Sequence, residues 1–285
     1  MGGIIMIHSY FRKIIFCALT CYFSTIFAAD PIKIASYNIR AGLDSSIESI
    51  ANAIVELGAD VIEIQEIDES NVRNSYSQTD LLKKLAKFDY SYFCDATPYK
   101  KGQYGHAILS KYPLKDPITI KLPKRRDKED RVMCLTRIEL DNKKNILIAG
   151  AHFGLNDNTE QIQYAMNTLQ SWIKQEQIIL LGDFNMTPDN PIYQTLTAYY
   201  REFISPPQNM YDTYPTPVPS KRIDYILTSK EYSVCGSKLT NVFQDGIVNW
   251  DHLSDHYPLM IEIPYTSINN LAKDDNTKSS WCEIF

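Results

Sequence analysis

Four things are missing from this sequence, and each absence removes a class of protein. It has no positive net charge. The formal value is −5, whereas a protein that grips nucleic acid through one broad face is usually basic. Its six cysteines never fall at CxxC spacing, which argues against a structural zinc site. No internal repeat and no low-complexity linker divide the chain. No apolar run reaches the ~20 residues of a comfortable membrane span; the longest uncharged apolar run covers residues 14–27.

What remains is ordinary globular composition, 44% hydrophobic and 22% charged. The first 28 residues stand apart. Arg12 and Lys13 precede the apolar run, and the small residues Ala28 and Ala29 follow it. This order reads as a secretory signal peptide cleaved near Ala28, with a retained anchor as the alternative. The expected organisation is therefore a signal peptide at 1–28, one domain at 29–266 and a loose tail at 267–285. Export is expected to the periplasm or the medium. Cleavage removes two of the 29 basic residues, leaving 27 against 34 acidic ones and a formal charge of −7. Cys94, Cys134, Cys235 and Cys282 remain. An exported protein can pair them, but the sequence leaves the connectivity open.

Hydrophobic periodicity gives the elements. Residues 32–37 alternate as a strand, 45–57 carry apolar residues at helical spacing closed by Gly58, and 61–65 form another strand. A helix is predicted over 79–88. Strands are predicted over 90–94, 106–110, 132–140 and 146–152, the last two as a hairpin turning at Asp141-Asn142. A long helix is predicted over 159–174 and a buried strand over 178–181. A proline-rich loop at 205–221 precedes strands at 223–227, 233–239 and 259–263. The alternation indicates an α/β class.

Polar residues collect where the apolar strands stop: Asn38, Gln65-Glu66, His152, Asp183 and Asn185, Asp224, and Asp255-His256. Loops along one sheet edge are where such proteins build sites. The residue types suit phosphoester chemistry. A hard divalent cation takes carboxylate and amide oxygens, and imidazoles paired with carboxylates hold and move protons. Each residue taken alone also has a plain structural reading, Asn38 as a turn cap and His152 as a satisfied histidine. His106 reads as structural and His252 as incidental.

The ordered set Ile34-Ala35-Ser36-Tyr37-Asn38-Ile39-Arg40, Ile64-Gln65-Glu66, Gly105-His106-Ala107-Ile108-Leu109-Ser110, Ala151-His152, Gly182-Asp183-Phe184-Asn185, Arg222-Ile223-Asp224-Tyr225 and Ser254-Asp255-His256-Tyr257-Pro258 resembles the endonuclease/exonuclease/phosphatase (DNase I-like) superfamily over residues 31–265. The resemblance implies a four-layer α/β/β/α sandwich of two mixed sheets flanked by helices. It implies a metal site at Asn38, Glu66 and Asp255, holding Mg²⁺ or else Mn²⁺ or Ca²⁺. It implies catalytic roles for His152, Asp183, Asn185, Asp224 and His256. Asp183 would orient or deprotonate water, Asp224 would pair with His256, and Asn185 and His152 would bind the phosphate. Apart from the resemblance, the mixed-charge run 121–131 reads first as a solvated loop and second as a basic lip that tracks phosphates, in which Arg131, at the start of the next strand, is best placed to reach the site and bind phosphate. Tyr211 and Tyr214 are candidates for a substrate rim.

Two positions depart from the superfamily pattern. Arg40 stands where some nuclease members have an acid, which disfavours a second metal. Glu63 lies inside a strand where a small or apolar residue is usual, so it needs a partner or solvent. The expected activity is an exported, divalent-metal-dependent hydrolysis of phosphoesters by a monomer, with a DNase I-like nuclease or phosphodiesterase first. The alternatives are a sphingomyelinase- or phosphoinositide-type lipid phosphoesterase, and an inactive binding protein on the same fold.

Overall fold

The computed structural model describes residues 30–124, 129–140, 144–155, 158–203, 211–232, 235–240 and 248–269. The expected signal peptide and most of the expected tail lie outside these residues. No described helix is long and apolar enough to cross a membrane.

The chain opens with β1 (Ile32–Asn38), α1 (Ile47–Leu57), β2 (Val61–Glu69) and α2 (Gln78–Leu85). It continues through β3 (Tyr90–Tyr99), β4 (Gly102–Ser110), β5 (Leu114–Lys121), β6 (Val132–Glu139) and β7 (Asn145–His152). Then come α3 (Thr159–Leu169), β8 (Ile178–Asp183), α4 (Pro191–Tyr199), β9 (Tyr200–Glu202), β10 (Asp224–Ser229), β11 (Lys238–Thr240) and β12 (Leu259–Ile263). Among the described residues the strands form two six-stranded sheets, ordered β11-β12-β1-β2-β4-β3 and β5-β6-β7-β8-β10-β9. Each is mixed: β1–β2 and β7–β8 are parallel across a helix, and the other pairs are antiparallel.

The two-residue side-chain period of a strand sorts the core into three layers. Ala35, Tyr37, Ile62, Ile64, Ala107 and Leu109 face α1 and α2. Leu147, Ala149, Ala151, Leu180, Tyr225 and Leu227 face α3 and α4. Ile34, Val61, Ile108, Ile148, Ile179, Leu181, Ile226 and Ile261 fill the space between the sheets. The molecule is therefore the four-layer sandwich that the resemblance implied. The same period sends Asn38, Glu63, Gln65, His106, His152, Asp183 and Asp224 into the inter-sheet layer. That layer is apolar at one end and polar at the other.

Cys94 on β3 and Cys134 on β6 form a disulfide with Cα atoms 5.9 Å apart, tying one sheet to the other. Cys235 is also disulfide-bonded. The 40-residue separation of Cys94 and Cys134 corresponds to about 3–4 kcal/mol of loop-closure stabilisation. The double variant Cys94→Ala/Cys134→Ala is expected to lose at least that much in urea unfolding. A loss below about 1 kcal/mol would contradict the entropic account.

The sequence expectations differ from the structure at the weak elements. The helix predicted to reach residue 174 ends at Leu169. Strand β5 was not expected, because its exposed face does not alternate and Pro117 interrupts it; proline is tolerated there because β5 is an edge strand. Helix α4 was not expected either, although Asn190 caps it by accepting from Ile192 N and Pro191 occupies its first turn.

Candidate active site

The site grows from strand ends at the polar end of the inter-sheet layer. His152 and Asp183 are register partners at the ends of the parallel pair β7–β8. Asp224 sits opposite Asp183 at the start of β10. Gly182 lets β8 run against β7: its φ is +137°, and an added Cβ would lie 1.9 Å from Ala151 O. Glu66 sits in a register irregularity of β2 between Ile64 and Ile67. Its φ of 57° turns its side chain out of the strand's regular alternation, which is the use such bulges serve. Asn185 also adopts a left-handed conformation, with φ 47°, and asparagine tolerates that better than most residues.

Asp183 is the hub. Its Oδ2 accepts from Asn38 Nδ2 at 3.1 Å and its Oδ1 from the Asn185 backbone N at 2.9 Å. The Nε2 atoms of His152 and His256 stand 3.4 and 3.8 Å from Oδ2. Asn38 Nδ2 also donates to Glu66 Oε1 at 3.1 Å, joining the two carboxylates. The Asn38 Oδ1 accepts from the Arg40 backbone N at 3.0 Å, and the Asn38 carbonyl accepts from Ser254 Oγ at 2.7 Å.

The two imidazoles are held in different protonation states. Arg131 Nη1 donates to His152 Nδ1 at 2.7 Å. A guanidinium only donates, and the other ring nitrogen, Nε2, lies 3.1 Å from the Asn185 Nδ2 amide and 3.4 Å from Asp183 Oδ2, so donors flank His152 on both sides. Burial, then the Arg131 charge, holds the His152 pKa well below its ordinary value. His256 Nδ1 donates to Asp224 Oδ2 at 2.9 Å. Burial alone would lower its pKa, but the carboxylates of Asp224 and Asp183 outweigh burial and push it up to about 10. His256 is therefore an imidazolium at neutral pH, and His152 is neutral. Burial and the neighbouring Asp224 raise the Asp183 carboxyl above the usual range.

A pocket of about 640 Å³ opens over these groups, lined among others by Glu66, Arg131, His152, Asp183, Asn185, Tyr214, Lys221, Asp255 and His256. Of the residues anticipated from the sequence, Glu66, Arg131, His152, Asp183, Asn185, Tyr214, Asp255 and His256 line it, and Asn38 and Asp224 stand behind, bonded to Asp183 and His256. Tyr214 stacks on His256 with ring centroids 4.9 Å apart, while Tyr211 lines a separate, smaller recess. Sequence reasoning missed three supports: Tyr104, which hydrogen-bonds Glu66; Thr213, whose hydroxyl donates to Asp224; and Lys221 on the pocket wall. No spacing pattern marks them, because each reaches the site from a loop or a neighbouring strand.

Two donor sets suit a divalent cation. Single atoms of Asp183, Asp224 and His256 lie within 4.8 Å of one another. Glu66 and Asp255 offer an all-oxygen alternative on the pocket wall. Four carboxylates converge on this pocket region, and Arg40 Nε stands 3.4 Å from Asp255 Oδ2. Burial still raises the Asp255 carboxyl, as it does that of Asp183. The oxygen donors of these residues fit a hard divalent cation, which would offset the cost of burying their charge.

The family profile described as "Endonuclease/Exonuclease/phosphatase family" matches residues 35–256. The chain is 24% identical over 251 residues to the uncharacterized protein YbhP of Escherichia coli strain K12, covering 81% of this chain and 95% of that protein. Among solved structures it is similar to the mannosyl-6-phosphatase Bt3783 of Bacteroides thetaiotaomicron, with TM-score 0.65, 15% identity and coverage of 81% and 99% of the two chains. It is also similar to the human Nocturnin catalytic domain with a bound sulfate anion, with TM-score 0.59, 18% identity and coverage of 83% and 94%. The members of this superfamily are hydrolases of phosphoesters that generally use a divalent metal. The chain belongs to the endonuclease/exonuclease/phosphatase family.

Proposed function

We propose that this protein is an exported, divalent-metal-dependent phosphoesterase acting on a short or terminal phosphoester. The observation that carries this reading is the convergence on Asp183 of Asn38, which also bonds Glu66, and of the Nε2 atoms of His152 and His256, over a pocket lined by carboxylates. Asp183 accepts the proton of the attacking water and orients it. The His256 Nε2–H stabilises charge on the phosphoryl oxygens, with His152, Arg131 and the Asn185 amide beside it. Asp224 fixes the His256 tautomer and sustains its charge. Glu66 and Asp255 would hold the cation, with Asn38 linking Glu66 to Asp183. A hard divalent ion at that position polarises a phosphoryl oxygen and offsets charge on the leaving group. Arg40 beside Asp255 favours a single ion.

Charge distribution favours a small substrate over extended duplex nucleic acid. Among the described residues several cations are engaged by the protein's own acids: Lys124 by Asp130, Arg40 by Asp44 and Asp255, Arg73 by Asp68 and Arg131 by Glu129. Among the described residues, Arg131 and Lys221 line the pocket itself. Export rests on the N-terminal segment, and a disulfide between the sheets agrees with an oxidising compartment.

The purified mature protein should be assayed with Mg²⁺ against sugar phosphates, inositol phosphates, sphingomyelin, RNA and plasmid DNA. Release of phosphate from small esters, stopped by EDTA, is the expected result. Rapid plasmid cleavage with no small-ester turnover would replace this reading with the nuclease one, and no metal-dependent hydrolysis at all would favour an inactive binder. The pH dependence of kcat/KM should be bell-shaped. The alkaline limb should lie near pH 10, where His256 loses its proton. The acidic limb should lie above the ordinary aspartate range, where Asp183 gains one, and added metal should move it downward. A flat profile from pH 5 to 10 would contradict the assigned roles.

A further inference from the structure

Beneath the site lies a buried pair that the reaction does not use. Glu63 on β2 and His106 on β4 are both buried and point into the inter-sheet layer. His106 Nδ1 and Glu63 Oε1 are 2.6 Å apart. On its other side His106 Nε2 donates to the carbonyl of Val132, on the opposite sheet, at 3.2 Å. A carbonyl only accepts, so Nε2 carries a proton. Glu63 occupies space left by Gly150 on β7: a Cβ there would lie 2.4 Å from Glu63 Cγ. The departure from the family pattern at Glu63 therefore has two matching features, an imidazole to bond and a glycine to sit over.

The pair carries no net charge, whichever of the two shares its proton. Burial, then the charges of Asp183 and Asp224, pushes the Glu63 carboxyl well up, and burial holds His106 down at about 4. A neutral acid donating to a neutral imidazole is the consistent arrangement. It places a polar link under the catalytic carboxylates without adding a third buried negative charge.

The link ends beside Arg131. The β6–β7 ladder begins at Met133; on the other edge Val132 pairs with Lys121 of β5 and the Arg131 carbonyl accepts from Leu122 N at 2.9 Å, while the Val132 carbonyl accepts from His106 and so adds the tie to the facing sheet. Arg131 immediately precedes Val132, and its guanidinium meets His152 at 2.7 Å. We propose that Glu63 and His106 are positioning residues that clamp the start of β6 to the facing sheet and so hold Arg131 against His152 for phosphate binding. This rests on the reading of Arg131 as a phosphate-binding residue.

The test uses the full mature protein and inorganic phosphate as the probe, with affinity measured by calorimetry and hydrolysis of a chromogenic phosphate ester followed in parallel. Arg131→Ala should weaken phosphate binding; if it does not, the reading of Arg131 fails, and the clamp with it. His106→Leu removes both bonds at similar volume and should weaken phosphate binding about tenfold, chiefly through KM rather than kcat. It should add little when combined with Arg131→Ala, because both act through one cation. His106→Gln, which keeps a donor for Val132, should retain affinity within about twofold. Should His106→Leu fail to fold, Glu63→Met is the milder variant. It should cost about threefold in affinity, again only when Arg131 is present. Multiplicative losses in the double variant, or lowered thermal stability with unchanged phosphate affinity, would overturn the clamp.

Discussion

Asp183→Ala is expected to lower turnover by about a thousandfold or more while leaving the fold intact. General-base loss alone accounts for ~10²–10⁴, and this residue also holds Asn38 and the Asn185 backbone in place. Stability should move the other way. The folded state raises the Asp183 carboxyl above its unfolded value, so folding favours the protonated form. Ionising it as pH rises through the unfolded value costs stability, and removing it lifts that cost. Asp183→Asn is the sharper variant: it keeps the shape, cannot take a proton, and should melt no lower than the parent at pH 7. Stopped assays with circular dichroism measure both. Near-normal turnover in either variant would remove Asp183 from the chemistry.

Glu66→Ala should have the second largest effect, and it separates the two donor sets. If the cation sits at Glu66 and Asp255, its loss should weaken metal binding by more than the ~10–100-fold that loss of an outer partner costs. Activity should then recover only at much higher Mg²⁺. Asp224→Asn should leave metal affinity nearly unchanged while lowering kcat, because it discharges His256 rather than the ion. Direct titration of Mn²⁺ into the two variants reads this without turnover. The reverse pattern, with affinity lost in Asp224→Asn and kept in Glu66→Ala, would move the ion to the Asp183–Asp224–His256 set.

Much of this site was legible because its residues sit at strand ends, where short motifs survive. Asn38, Glu66, His152, Asp183, Asn185, Asp224, Asp255 and His256 could each be named from the order of those motifs. The four layers followed from the same resemblance, and the alternation within each strand agrees with them. What could not be read was anything depending on one sheet facing the other. Glu63 was visible as an anomaly, but its partner His106 lies 43 residues away on another strand and was taken as scaffold. Tyr104 and Thr213 were invisible for the same reason. The opposite protonation of His152 and His256 was also hidden, since it depends on which side chain, Arg131 or Asp224, each ring meets. Weak elements such as β5 were missed because an exposed edge strand has no buried face to write a pattern.

Strand β1 lies between β2 and β12, and Ile32 is paired with Ile263 from near the other end of the chain. A ribosome must therefore deliver every residue from 32 to 263 before the first sheet can close. Pairings between such distant residues form slowly, so the first sheet closes late in folding. The same arrangement makes an early stop codon costly: a product ending before residue 259 would lose the neighbour of its own first strand, not a dispensable end.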